Sequence, residues 1–146
     1  MKVLIADDHA LFRDALGKLI EDLDENATII QAANYAQTLK ILEQEPLFDM
    51  VIADLDMQDL QFWEQGLDKI SKLIGKAKLV VISAADNSRN IRYTLEKGAK
   101  GYISKRAESK ILINALKLIL EGGTYIPPML LNKKADMSNK GSAKML

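Results

Sequence analysis

Residues 2–12 read KVLIADDHALF. Four consecutive apolar residues, Val3 to Ala6, run without a break into two adjacent carboxylates, Asp7 and Asp8. A short continuous apolar run bounded by polar residues is the pattern of a strand buried on both faces, the habit of parallel sheets. Ending such a strand in paired negative charge is costly unless something uses that charge. The stretch therefore asks two things of the remaining chain: more buried strands, and a counter-charge.

The strands are there. Similar short runs follow as ATIIQA, DMVIA, AKLVVIS and KGYIS, and longer segments with helical spacing lie between them. Leu11/Phe12, Ala15/Leu16, Leu19/Ile20 and Leu23 form one stripe; Ala36, Leu39 and Leu42 form a second. Leu67, Ile70, Leu73 and Ile74 make a third, Ile91 and Leu95 a weak fourth, and Ile111/Leu112, Ala115/Leu116 and Ile119/Leu120 a rich fifth. Pro46 breaks the chain before the third strand, Gly98 reads as a helix C-cap, and Gly122-Gly123 stops the last helix. Parallel strands need crossover connections, so the alternation predicts an α/β fold: a doubly wound, five-stranded parallel sheet covered on both faces, flavodoxin-like in its (βα)5 order. The fifth helix is apolar around more of its circumference than one core face requires, and Ile113 marks a candidate dimer or domain-docking surface.

Composition narrows the function classes. The 146 residues are 48% apolar and 27% charged, as in a globular domain. No run approaches the ~20 apolar residues of a membrane span. No signal-like leader precedes the first strand, so the expected location is the cytoplasm. Cys is absent, which excludes disulfides and thiolate metal sites. Net charge is zero, with 16 basic and 19 acidic side chains in residues 1–121 and four lysines against Asp136 in 122–146. One basic tail on a neutral chain is weak support for nucleic-acid binding.

In a parallel sheet the carboxyl ends of the strands share one edge, and ligands bind beyond that edge where the strand order reverses. Four of the five strands deliver chemistry there: Asp7 and Asp8, then Asp54, Ser83 and Lys105. Three ionised carboxylates cannot simply gather, since two charges 4 Å apart repel by roughly 4 kcal/mol at an effective dielectric near 20. Either one takes up a proton or a cation neutralises the group. An oxygen-only set suits a hard ion such as Mg²⁺, with phosphate oxygens completing its shell. Lys105 can balance a phosphoryl group, Ser83 can donate to it, and Asp54, ionised at neutral pH, can attack phosphorus without a general base. Each residue also has a plainer reading. Asp8 can cap the first helix, Asp54 can be a loop residue, Ser83 a cap, and Lys105 a solvated charge. His9, the sole histidine, reads as first-turn scaffolding. The functional reading rests on the coincidence of four such residues at four strand ends.

The pieces VLIADD, VIADLDM, VVIS and GAKGYISK resemble the receiver domain of two-component response regulators over residues 1–121. DDHALFRDAL and EGGTYIPPMLL are similar to the NarL/LuxR branch, whose members usually carry a C-terminal helix-turn-helix domain. The resemblance implies that Asp54 accepts a phosphoryl group from a sensor histidine kinase. It implies that Asp8 binds Mg²⁺ directly, Asp7 acts mainly through water, Asp54 itself contributes, and the Asp56 carbonyl completes the shell. Lys105 would contact the phosphate, and Ser83 would move toward it with Tyr102 turning inward, reshaping the face of the fourth helix, fifth strand and fifth helix. It further implies residues 1–121 as receiver and 122–146 as linker toward an output domain outside this chain. DNA would be reached only through that domain, a homodimer is allowed, and no membrane is involved.

Three positions depart from the family pattern. Gln58 stands where Pro is common, Phe62 where Gly is frequent, and Arg106 where many receivers have Pro. They motivate a second reading, a pseudo-receiver that binds partners without phosphorylation. A third reading takes Asp54-Leu55-Asp56 as the D-x-D of a haloacid-dehalogenase-type phosphatase, although the motif lies mid-chain and 146 residues leave no room for a cap domain. The expected chemistry is thus at most self-catalysed phosphoryl transfer and autodephosphorylation, not turnover of many substrates.

Overall fold

β1 (Lys2–Ala6), β2 (Thr28–Ala32), β3 (Met50–Asp54), β4 (Lys78–Ser83) and β5 (Gly101–Ser104) form a single parallel sheet in the order β2-β1-β3-β4-β5. They are taken from a computed structural model that describes residues 1–45, 47–84 and 87–128. The helices are α1 (Ala10–Leu23), α2 (Tyr35–Gln44), α3 (Trp63–Leu73), α4 (Ser88–Glu96) and α5 (Ser109–Leu120). The doubly wound (βα)5 expectation is met. Pro46 and residues 129–146, most of the predicted linker, lie outside the described residues.

Strand alternation divides the core in two. Val3, Ile5, Met50, Ile52, Val80, Ile82 and Ile103 pack against Leu16 and Ile20 of α1 and Leu112, Leu116 and Ile119 of α5. Their neighbours Leu4, Ala6, Val51, Ala53, Leu79, Val81 and Tyr102 face Leu42 of α2, Leu67 and Ile70 of α3, and Ile91 of α4. Both faces are apolar, which is why the strands read as unbroken runs rather than as alternation.

Helical spacing overreached at particular positions. Leu11, Ala36 and Ile111, placed on buried stripes, face solvent, and Thr38 is buried in α2 instead. Ile113, singled out as surplus, is half-buried; the exposed apolar residues of α5 are Ile111 and Leu118. Gly98 and Gly122 end α4 and α5 with φ of 98°, a conformation that favours glycine at a helix C-terminus. Beyond α5 the chain returns along the outer edge of β5. Tyr125 N donates to Lys100 O at 2.9 Å and Tyr125 bridges Gly101, so this sheet edge is partly covered.

The order of strands reverses between β1 and β3. From β1 the chain steps outward to β2, then crosses back to β3 on β1's other side. The crevice between the carboxyl ends of β1 and β3 is therefore the place where α/β sheets bind ligands.

Candidate functional site: an acidic crevice with one lysine

Asp54 is the last residue of β3, and Asp7 directly follows β1. Both are 1% exposed, an expensive position for carboxylates. Lys105, in the residue after β5, supplies the counter-charge. Its N–H donates to Ser83 O at 3.0 Å, which continues the sheet ladder and aims the side chain across the crevice. Its Nζ lies 2.9 Å from Asp54 Oδ2 and 2.8 Å from Asp7 Oδ2, and 5.1 Å from the centre of the Phe12 ring on α1. At 12% exposure this is not the solvated surface lysine of the plainer reading.

Electrostatics follow from burial. The Asp54 carboxyl is pushed up to about 6, first because burial penalises its charge, with Asp7 adding repulsion. The Asp56 N–H, which donates to Asp54 Oδ1 at 2.9 Å, and the Lys105 ammonium pull the other way without cancelling the rise. For Lys105, burial works against the charged form, but contact with Asp7 and Asp54 outweighs it and its pKa is raised.

Asp8 is partly buried on the other side of the crevice. It does not cap α1: the cap residue is His9, which makes no side-chain cap bond. Instead the His9 ring reaches into the acidic cluster. Its Nδ1 lies 3.1 Å from Asp8 Oδ1, 3.2 Å from Asp7 Oδ1 and 3.1 Å from Lys105 Nζ. A single ring nitrogen either donates to a carboxylate or accepts from an ammonium, so these contacts are alternatives. The scaffolding reading missed this placement, and adjacency to the acidic pair was the one sequence signal for it. Arg13 of α1 donates to Asp7 O at 2.6 Å and to Gln31 Oε1 at 2.9 Å, fixing the turn that carries both carboxylates.

Ligand oxygens of Asp7, Asp8 and Asp54 and a His9 ring nitrogen all lie within 4.8 Å of one another. Asp7 Oδ2 and Asp8 Oδ1 are buried oxygens, the first met by the Lys105 ammonium and the second by the His9 ring. Such oxygens fit a hard divalent cation, which would satisfy lone pairs the protein leaves open.

Ser83 ends β4 and is buried; its Oγ donates to Asp56 Oδ2 at 3.1 Å, and Ala84 N donates to the same oxygen at 2.9 Å. Tyr102 is fully buried and already directed into the core beneath α4. Among the departures, Gln58 is exposed, Phe62 is 67% exposed and Arg106 is exposed. The loop after Asp56 is nevertheless tied down, because Asp59 accepts from Tyr35 N at 2.8 Å and Ala36 N at 3.0 Å at the start of α2.

A family model described as the response regulator receiver domain matches residues 3–117. The chain belongs to the response regulator receiver family. It is 32% identical to the oxygen regulatory protein NreC of Staphylococcus carnosus over 134 residues, covering 89% of this chain and 59% of that protein. It is 27% identical to a glycerol metabolism activator of Pseudomonas putida, covering 98% and 64% respectively. The chain thus spans about three-fifths of the length of these curated relatives. Among solved structures, a LuxR family DNA-binding response regulator from Silicibacter pomeroyi superposes with a TM-score of 0.76 at 30% identity, covering 88% of this chain and 98% of that one. The CheY-like receiver domain protein of Methanospirillum hungatei does so with a TM-score of 0.72 at 25% identity, covering 83% and 94%. The NarL/LuxR resemblance read from the sequence is met. Membership places the chain among signalling receivers. Among the described residues, no helix is long and apolar enough to cross a membrane.

Proposed function

We propose that this receiver is phosphorylation-competent, taking a phosphoryl group from a sensor histidine kinase on Asp54 with Mg²⁺ bound. The observation that carries the reading is the pairing of buried Asp54 with Lys105 at 2.9 Å inside a cluster that also holds Asp7 and Asp8. A pseudo-receiver has no need to bury two carboxylates around one lysine, with a third partly buried beside them, at this cost in desolvation.

An Asp54 carboxylate oxygen attacks phosphorus; a new O–P bond forms as the P–N bond to the kinase histidine breaks, and the electron pair leaves with the imidazole nitrogen. Lys105 shifts from the carboxylate to a phosphoryl oxygen, and the Ser83 hydroxyl donates to another. Mg²⁺ would be held by Asp8, Asp54 and the Asp56 carbonyl, with Asp7 acting mainly through water, and would neutralise charge on the transferring group. Loss of the Ser83 resting contact and movement of Tyr102 would then pass the change to α4, β5 and α5.

The same reading assigns residues 1–121 to the receiver and 122–146 to a linker toward an output domain that contacts DNA, in a cytoplasmic transcription regulator. The relatives' greater length supports it. Exposed Ile111 and Leu118 support α5 as the surface for a second copy of the chain or the output domain.

The test is treatment with a small phosphodonor and Mg²⁺, read by intact mass. The wild-type chain should gain one phosphoryl group, and Asp54→Asn or chelation of Mg²⁺ should abolish the gain. An unlabelled wild-type chain would establish the pseudo-receiver instead, and steady release of phosphate over many turnovers would establish a phosphatase.

A further inference from the structure

Asp56 does something the phosphoacceptor reading does not require. Its backbone N–H is spent on Asp54 Oδ1, and its carboxylate is turned across the crevice toward the end of β4. There a single oxygen, Oδ2, takes both the Ser83 hydroxyl at 3.1 Å and the Ala84 N–H at 2.9 Å. An anionic oxygen cradled by a hydroxyl and a backbone amide is the environment a phosphoryl oxygen would seek. The chain already has an occupant for it.

We propose that the Asp56 carboxylate is a resting-state latch that occupies the two β4-end donors and must be displaced before they can engage a phosphoryl group on Asp54. This rests on the reading of Asp54 as phosphoacceptor and Ser83 as a donor to the phosphoryl group. Asp56 is a positioning residue: it holds the Ser83 hydroxyl and the start of the β4–α4 loop in the resting arrangement. Its opposition to a phosphoryl group has two separable parts. One is competition for the two donors, which any acceptor oxygen at this position would provide. The other is repulsion between like charges, which only a carboxylate would provide. An uncharged residue lacking an acceptor here would take this oxygen away from both donors, and would tilt the equilibrium toward the engaged arrangement.

The experiment compares wild type, Asp56→Ala and Asp56→Asn. Two readouts are used: hydrogen exchange at the Ala84 amide by NMR in the resting chain, and affinity for beryllofluoride with Mg²⁺, a phosphoryl analogue. Asp56→Ala should expose the Ala84 amide to faster exchange and bind beryllofluoride about tenfold tighter, the worth of roughly one net charge-assisted hydrogen bond. Asp56→Asn keeps an acceptor oxygen, so Ala84 should stay protected and the gain in affinity should be clearly smaller. The latch is overturned by unchanged Ala84 exchange in Asp56→Ala, by an Asp56→Ala affinity no higher than wild type, or by Asp56→Asn matching Asp56→Ala in affinity, which would leave charge repulsion as the whole effect. Failure of the wild-type chain to bind beryllofluoride at all would overturn the acceptor reading and the competition together. The Ala84 result separates that case from failure of the latch alone.

Discussion

Lys105 Nζ stands between Asp54 Oδ2 at 2.9 Å and Asp7 Oδ2 at 2.8 Å, joining the carboxyl ends of β5, β3 and β1 through a single ammonium. The two carboxylates come from strands adjacent in the sheet, and the cation from its far edge. Removing it leaves two buried negative groups facing each other. Lys105→Met, which keeps the aliphatic stem beside Phe12, should lower stability by about 2–3 kcal/mol at pH 8. The loss should shrink on acidification, because protonating either carboxylate removes the unpaired charge. Urea denaturation at pH 8 and pH 5 checks this; an equal loss at both would mean the lysine matters only for packing.

Asp54→Asn should have the opposite sign in metal-free protein. The folded-state pKa of Asp54, about 6, lies above the ordinary 3.8. Its protonated form therefore favours folding: that contribution is complete below about pH 4 and is lost as pH rises through 6. An uncharged isostere escapes the loss. In EDTA the variant should gain about 2–3 kcal/mol over wild type at pH 7.5. The gain should fall toward zero at pH 4, where wild type is protonated too. Paired denaturation curves at the two pH values decide it, and a variant less stable than wild type at pH 7.5 would refute the claim that burial makes Asp54 a destabilising charge.

Mg²⁺ should stabilise the wild-type chain by adding positive charge to a crevice where one lysine faces three carboxylates. At a concentration 100 times its dissociation constant, the linkage gain is about 2.7 kcal/mol. Asp8→Asn halves the charge of the adjacent acidic pair and should weaken Mg²⁺ binding at least about tenfold, so the same concentration should move the melting temperature far less. A melting shift preserved in Asp8→Asn would place the ion elsewhere.

Most of this site was legible because it obeys a rule about strand ends. The runs KVLIA, DMVIA and LVVIS are buried on both faces, so their apolar stretches mark strand positions to within a residue, and Asp7, Asp54 and Ser83 follow at their tips. Lys105 falls to the same edge by the same rule. What stayed hidden depends on the direction of single side chains. His9 lies among the carboxylates because of its rotamer, and Asp56 reaches Ser83 across a gap of 27 residues. Asp59 caps α2 from more than 20 residues away, a bond no local cap pattern announces. The exposure of Leu11 and Ile111 was illegible for a related reason: an adjacent apolar pair on a helix need not both face one core, and periodicity does not say which one turns away.

Trp63, the only tryptophan, opens α3 and meets Tyr93 of α4 edge-on, with ring centroids 5.3 Å apart and planes at 80°. It also closes the loop that starts at Asp56, while α4 is the helix that follows Ser83. The contact therefore spans the two segments that the proposed switch would move relative to each other. Aromatic pairs of this geometry are worth about 0.5–1.5 kcal/mol, small enough for a rearrangement at the crevice to break. Beryllofluoride with Mg²⁺ should change the tryptophan emission of wild type, and Asp54→Asn should show no change. Tyr93→Leu should alter the resting emission and reduce the response, while still binding the analogue. An emission spectrum that stays fixed in wild type under saturating beryllofluoride would mean that α3 and α4 keep their packing, and that any signal leaves through α5 alone.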